Sequence, residues 1–314
     1  MRWLITGGSG FIGKYLLNAL REDRDERQAF IVYDIKECPN SINNDNNIIW
    51  VKGDVLDKDG IEKVIKKYNV KGIIHLAYVL LSESDASPYN SIKINSMGTL
   101  NILDLLLKYN IKKTIWSSSV QVYGPAVYYG EKKWIDESYD VKPVSLYGVC
   151  KAFCEDIFSY YRSQYNLNIV GLRFSGVFGY GRTSGSNTYL CDLIKDIVQG
   201  KNAIMPYANH INNLIYVKDA VRVIKKCIEV DSFYKSPIYN ICSNIVYSNK
   251  GIADILKSIF PDTKIEIQSG QFGLRATPYT SPALAKEELG FIPSYSLKEA
   301  IQDFVLKCNK NDIF

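Results

Sequence analysis

Residues 6–13 read TGGSGFIG, between the apolar run RWLIT (2–6) and FIGKYLLNALRED (11–23), which has apolar residues at helical spacing. A strand that turns through glycines into a helix makes a cradle for phosphate, because the first free N–H groups of the helix point at whatever sits on its N-terminus. Gly7, Gly10 and Gly13 have the required order. The first glycine makes the tight turn, the second lets the backbone approach a pyrophosphate, and the third lets the helix pack on the strand. Phe11 and Ile12 then belong to the same cofactor-facing wall.

The next apolar run, AFIVYD (29–34), ends in Asp34. That acid falls about 20 residues beyond the glycines, where a carboxylate accepts both ribose hydroxyls of NAD and repels the 2′-phosphate of NADP. No arginine follows Asp34 directly, so NAD is expected. GDVLD (53–57) follows a third run, IIWVKGD (48–54), and puts Asp54 and Val55 at the adenine end.

Strand and helix patterns continue to alternate. A helix is expected over 59–68, a strand over 72–77 (GIIHLA), one long helix over 87–110, a strand over 113–119 (KTIWSSS) and a helix over 145–166. Alternation of this kind gives a parallel sheet covered on both faces, with right-handed crossovers. Beyond 168 the pattern loosens. A Gly/Ser-rich loop covers 179–189, a strand runs into a helix over 212–229, a strand covers 236–243, and two helices flank KIEIQ (264–268). The fold class expected is α/β: a Rossmann-type doubly wound parallel sheet with a smaller C-terminal α/β lobe interwoven with it. Residues 1–170 form the NAD-binding domain, with strands from about 171–178 and 212–243 returning to it. Residues 179–211 and 244–314 form the substrate-binding lobe.

Composition narrows the partners. The 314 residues carry a net charge of +5 spread along the chain, so Lys66-Lys67 and Lys112-Lys113 read as solvated faces and no nucleic acid is expected. No window approaches the apolar length of a membrane span, and MRWLITGG lacks a signal-peptide layout. The seven cysteines are scattered without a C-x-x-C, which fits reduced thiols in a cytoplasm. Cys150 and Cys154, one helical turn apart, read as small buried apolar residues. The only histidines, His75 and His210, have no ligand-like neighbour in sequence, so no metal is expected.

LYGVCKAFCE (146–155) places Tyr147 and Lys151 four apart, on one helix face. An ammonium there stabilises a phenolate and lowers the tyrosine pKa towards working pH, making Tyr147 a general base for a hydroxyl proton. WSSSVQVYG (116–124) supplies three serines at the end of the preceding strand.

In order and spacing the chain resembles the extended short-chain dehydrogenase/reductase family, in its nucleotide-sugar epimerase and dehydratase branch. The residues that carry the likeness are TGGSGFIG, VYD, GDVLD, HLA (75–77), NSMGTLN (95–101), SSSVQVYG, YGVCK, LRFSGVFGYG (172–181), LIYVKDAV (214–221), YNICS (239–243) and AKEELGF (285–291). The resemblance implies that Ser119 hydrogen-bonds the reacting oxygen, that Tyr147 is the base, and that Lys151 also holds the nicotinamide ribose. It puts Ser117, Leu76, Ala77, Tyr78, Asn95 and Phe174 along the cofactor and leaves His75 structural. It also implies a homodimer built on the helices over 87–110 and 145–166.

The departures from the family pattern are informative. Val120 and Gln121 stand where the family's dehydratases carry Asp and Glu, so elimination of water is not expected, while Gln121 still faces the substrate. Gly176 replaces an Asn that touches the diphosphate in many members, Asn212-Asn213 replaces Arg-Asp, and Tyr78-Val79-Leu80-Leu81 offers no lysine. Arg182 and Arg275 remain to clamp phosphates. The reaction expected is 4-epimerisation of a UDP-sugar by transient hydride transfer to tightly held NAD. The alternatives are a dehydrogenase of a small hydroxy or amino acid, similar to L-threonine 3-dehydrogenase, a sugar ketoreductase, or a non-catalytic NAD(H) sensor, against which the intact Ser–Tyr–Lys set argues.

Overall fold

The computed structural model describes residues 1–23, 28–39, 42, 45, 47–111, 113–185, 187–270 and 277–310. The glycine loop joins β1 (Arg2–Thr6) to α1 (Phe11–Asp23), at the bounds the apolar pattern predicts. Next come β2 (Ala29–Asp34), β3 (Ile48–Lys52), α2 (Lys58–Tyr68) and β4 (Gly72–His75). Helices α3 (Leu81–Ala86), α4 (Pro88–Ile92) and α5 (Gly98–Lys108) lead to β5 (Lys113–Ser119), α6 (Leu146–Tyr165) and β6 (Asn168–Phe174). The remaining elements are β7 (Gly176–Phe178), α7 (Thr188–Val198), β8 (Ala203–Met205), β9 (Ile211–Tyr216), α8 (Val217–Glu229), β10 (Ile238–Ile241), β11 (Val246–Ser248), α9 (Asn249–Ile259), β12 (Ile265–Ile267), α10 (Ala283–Leu289) and α11 (Leu297–Lys310).

Seven strands form the main sheet in the order β3-β2-β1-β4-β5-β6-β10, every pair parallel. The chain winds outward from β1 in both directions, so the switch point falls between β1 and β4, where open α/β sheets bind ligands. Strands buried on both faces need apolar residues in succession, and β6 is buried along its whole length. One core layer joins α1 and α8 through Leu16, Leu17, Val221 and Ile224. The opposite layer joins α2, α5 and α6 through Ile61, Val64, Leu103, Leu106 and Phe158.

Trp116 of β5 stacks on Phe158 of α6 with ring centroids 4.3 Å apart. This contact seats the helix that carries Tyr147 against the strand that carries the serines. Phe158→Ala is expected to cost about 3–5 kcal/mol, measurable as a lowered urea midpoint at unchanged slope.

The structure departs from the sequence reading in several places. The single helix expected over 87–110 is α4, a π-helical turn at Lys93–Met97, and α5. The inserted turn points Asn95 at Val79, 16 residues earlier. Helix α3 and helix α10 are too short to give a clear period. Strand β6 and strand β10 do return to the main sheet, but β7 and β9 pair with each other, and β11 completes a separate three-stranded sheet. Lys113 is not solvated, because its ammonium donates to the carbonyls of Ile228 (2.7 Å) and Val230 at the end of α8, a site where a helix favours a cation. Lys112 and Arg275 lie outside the described residues.

Candidate active site

The cradle forms as its glycines require. Gly7 has φ +74°, and a β-carbon there would stand 2.6 Å from the Ala77 nitrogen. The loop after β1 therefore touches the loop after β4, where Leu76 N donates to Thr6 O at 3.0 Å. Gly10 N donates to Gly7 O at 3.0 Å, which closes the turn below Phe11 and Ile12. Gly13 lies buried in α1. Asp34 is buried at the end of β2. Its Oδ2 accepts from Ser9 N at 2.8 Å, and its Oδ1 accepts from Ser9 Oγ at 2.7 Å and Lys36 N at 3.0 Å. A carboxylate offers about four acceptor positions, so Asp34 keeps capacity beyond these three. Ser9 is absent from the sequence reading, since a loop serine carries no spacing signal.

Beyond β3, exposed Asp54 accepts from Leu56 N at 2.9 Å, and Val55 is buried against Gly98 of α5. Asn95 is fully buried, with Oδ1 accepting from Val79 N at 2.8 Å and Nδ2 donating to Val79 O at 3.0 Å. Its Nδ2 also lies 3.3 Å from Ser91 Oγ, so the amide ties the turn to the chain that follows Tyr78. His75 is structural: Thr6 Oγ1 lies 2.6 Å from Nδ1 and Thr99 Oγ1 lies 3.2 Å from Nε2, with burial and then Lys151 pushing its pKa down to about 3.

Helix α6 brings the catalytic candidates together. Ser145 caps it, accepting from Gly148 N at 3.1 Å. A β-carbon on Gly148 would stand 2.5 Å from the Gln121 carbonyl, so only glycine lets the helix lie this close to the turn after β5. Tyr147 thereby meets Ser119, which is itself in register with Phe174 of β6. Lys151 is buried, donates to the Ser117 carbonyl at 2.5 Å, lies over the Tyr78 ring, and sits 5.7 Å from the Tyr147 ring centroid.

Burial dominates the electrostatics of this pair. Burial pushes the Tyr147 phenol up to about 12, opposed first by the Ser119 hydrogen bond and then by the positive charge of Arg182. Burial also drives the Lys151 ammonium well down, partly offset by Cys154, Glu155 and Cys150. Arg182, from the loop after β7, is a second cation near the phenol, and its charge draws the pKa down.

Around these groups, the buried polar atoms without a hydrogen-bond partner among the described residues include Gln121 Oε1, Arg182 Nε and Tyr78 Oη. The Arg182 guanidinium lies 5.5 Å from the Phe11 ring centroid, so it bridges the second half of the chain to the glycine loop. Gly176 begins β7, and the Asn187 amide nitrogen stands 2.2 Å from where its β-carbon would be. The space left by glycine at 176 is thus filled by a neighbouring amide that the linear sequence does not reveal. Val120 is buried and carries no proton to transfer. Among the described residues no group of three or more His, Cys, Asp or Glu could hold a metal ion, and no helix is long and apolar enough to cross a membrane.

A dinucleotide cradle at the switch point, an acid at the end of β2, and Ser, Tyr and Lys on adjoining elements define an NAD-dependent enzyme of hydride chemistry. Residues 3–242 match the model of the NAD dependent epimerase/dehydratase family, and the chain belongs to that family. A putative UDP-glucose 4-epimerase of Methanocaldococcus jannaschii is 28% identical over 96% of this chain and 96% of its own length. The UDP-glucose 4-epimerase of Thermotoga maritima, solved with UDP-glucose, superposes with a TM-score of 0.85 at 24% identity over 99% of both chains. The L-threonine dehydrogenase of Clostridium difficile superposes with a TM-score of 0.87 at 26% identity over 100% of this chain and 99% of its own.

Proposed function

We propose that this chain is a nucleotide-sugar 4-epimerase that acts on a UDP-sugar and retains its NAD between turnovers. The observation that carries the reading is the meeting of Ser119, Tyr147 and Lys151 beside a turn whose Val120 and Gln121 cannot eliminate water. The close approach of Gly7 to Ala77 and the acceptor capacity of Asp34 fit a dinucleotide. Gly7, Gly10, Phe11, Ile12 and Gly13 would hold its pyrophosphate, Asp34 its adenine ribose, Asp54 and Val55 its adenine, and Leu76, Ala77, Tyr78, Ser117 and Phe174 its remaining length. When bound, NAD supplies the two-electron acceptor, and on return the donor, for the hydrogen on the reacting carbon.

The protein's own part is proton transfer and positioning. Tyr147 Oη takes the hydroxyl proton of the substrate and gives it back after the carbonyl intermediate has presented its other face. Ser119 Oγ hydrogen-bonds the same oxygen and holds Tyr147 beside it. Lys151 and Arg182 stabilise the phenolate form. Gln121 Oε1 is an acceptor awaiting a sugar hydroxyl. Residues 179–211 and 244–314 form the substrate lobe.

The purified protein is expected to carry NAD and to interconvert a UDP-sugar pair without net absorbance at 340 nm. Steady NADH production from a non-sugar alcohol such as L-threonine would replace this reading with the dehydrogenase one, which the likeness to the Clostridium difficile enzyme favours. The free thiols support a cytoplasmic location. Val149, Phe153 and Tyr160 of α6 and Met97 before α5 are exposed, which supports a homodimer through these helices. A solution mass of about twice 35.6 kDa is expected, and a monomer mass would remove that assignment.

A further inference from the structure

Three adjacent hydroxyls end β5, and something must fix which of them faces the reaction. Helix α6 presents Tyr147, Lys151 and Glu155 one turn apart on one stripe, and each engages a different serine. Tyr147 lies towards Ser119, whose hydroxyl lowers the phenol's pKa, Lys151 holds the Ser117 carbonyl at 2.5 Å, and Ser118 Oγ donates to Glu155 Oε1 at 2.5 Å. The geometry points to Glu155 as a positioning residue that sets the register and direction of the β5 end, and so of Ser119, by holding Ser118.

Glu155 is in turn fixed from β6. Arg173 binds it in bidentate fashion, Nε to Oε1 at 2.8 Å and Nη2 to Oε2 at 2.6 Å. Nη1 of Arg173 donates to Tyr123 Oη at 2.5 Å, and that hydroxyl lies 3.0 Å from both the Asp136 carbonyl and Asn240 Oδ1. The side chains of Arg173 and Glu155 are 6% and 10% exposed. A buried ion pair adds little net stability, because desolvation consumes the Coulomb gain, whereas rigid bidentate geometry specifies position. This network fixes the acceptor of the Ser118 hydroxyl and ties α6, β5, β6 and β10 together.

The turnover arm of the test rests on the proposed function, so a second arm does not use turnover. Glu155→Gln leaves Arg173 buried without its counter-charge and threatens folding, so Ser118→Ala is the main variant: it cuts the link and keeps the ion pair. Ser118→Ala is expected to lower kcat about tenfold, as misplaced reacting groups do, with KM and NAD affinity within about twofold, and Ser118→Thr to restore it. Amide hydrogen exchange across 117–122 should accelerate in Ser118→Ala while the rest of the main sheet keeps its protection. Wild-type kcat in Ser118→Ala, or unchanged exchange across 117–122, overturns the assignment. If the wild type turns over no alcohol at all, the proposed function fails and the exchange arm still decides the role of Glu155.

Discussion

Tyr147→Phe should lower the chemical rate by about 10³-fold or more while NAD affinity stays within about twofold. In the proposed mechanism the hydroxyl takes the substrate proton, and general-base removal alone is worth about 10²–10⁴. The loss should appear in kcat and kcat/KM together, since the interaction exists only in the transition state. The wild-type rate should rise with pH, because burial holds Tyr147 up near 12 and the active form is the phenolate. In Arg182→Met that rise should move to higher pH, since the cation that draws the phenol down is removed. Stopped-flow turnover from pH 6 to 10, with NAD binding followed by fluorescence, measures both effects. Retained activity in Tyr147→Phe would remove the tyrosine from its role.

Gly7→Ala should weaken NAD binding at least about 100-fold. The backbone at 7 is left-handed, with φ +74°, and the added carbon would meet Ala77 N at 2.6 Å and Leu76 C at 2.7 Å, both backbone atoms that cannot rotate away. Left-handed strain on a non-glycine costs of order 1–3 kcal/mol, and the separation of the two loops opens the cradle as well. Calorimetric titration with NAD, beside a urea denaturation curve, separates lost binding from lost fold. Wild-type affinity in Gly7→Ala would show that the cofactor does not sit on this loop.

Much of this was legible in the linear sequence where a requirement is local. TGGSGFIG prescribes a turn, KTIWSSS a buried strand, and Tyr147 with Lys151 a helix face; β1, α1, β2 and β5 fall within the predicted bounds. What was hidden depends on partners distant in sequence. Strand β7 pairs with β9 because the chain leaves the main sheet after Phe174, and no periodicity marks that exit. Asn95 reaches Val79 only because a π turn rotates it there. Asn187 fills the space at Gly176, and Glu155 reads as one more helix-surface acid until Arg173 is placed against it. The leucines at 103, 105 and 106 are fully buried, and the exposed apolar residues of the two stretches are Tyr89, Ile92 and Met97 before α5 and Val149, Phe153, Tyr160 and Tyr165 of α6.

The most direct test of the central claim follows the hydrogen on the reacting carbon. A UDP-sugar deuterated at C4 is incubated with the enzyme in ordinary water and both epimers are recovered for mass spectrometry. Retention of the label in both epimers, with none in free NADH, is the predicted result. Label appearing in released NADH, or an unaltered sugar beside reduced cofactor formed from a non-sugar alcohol, would contradict it.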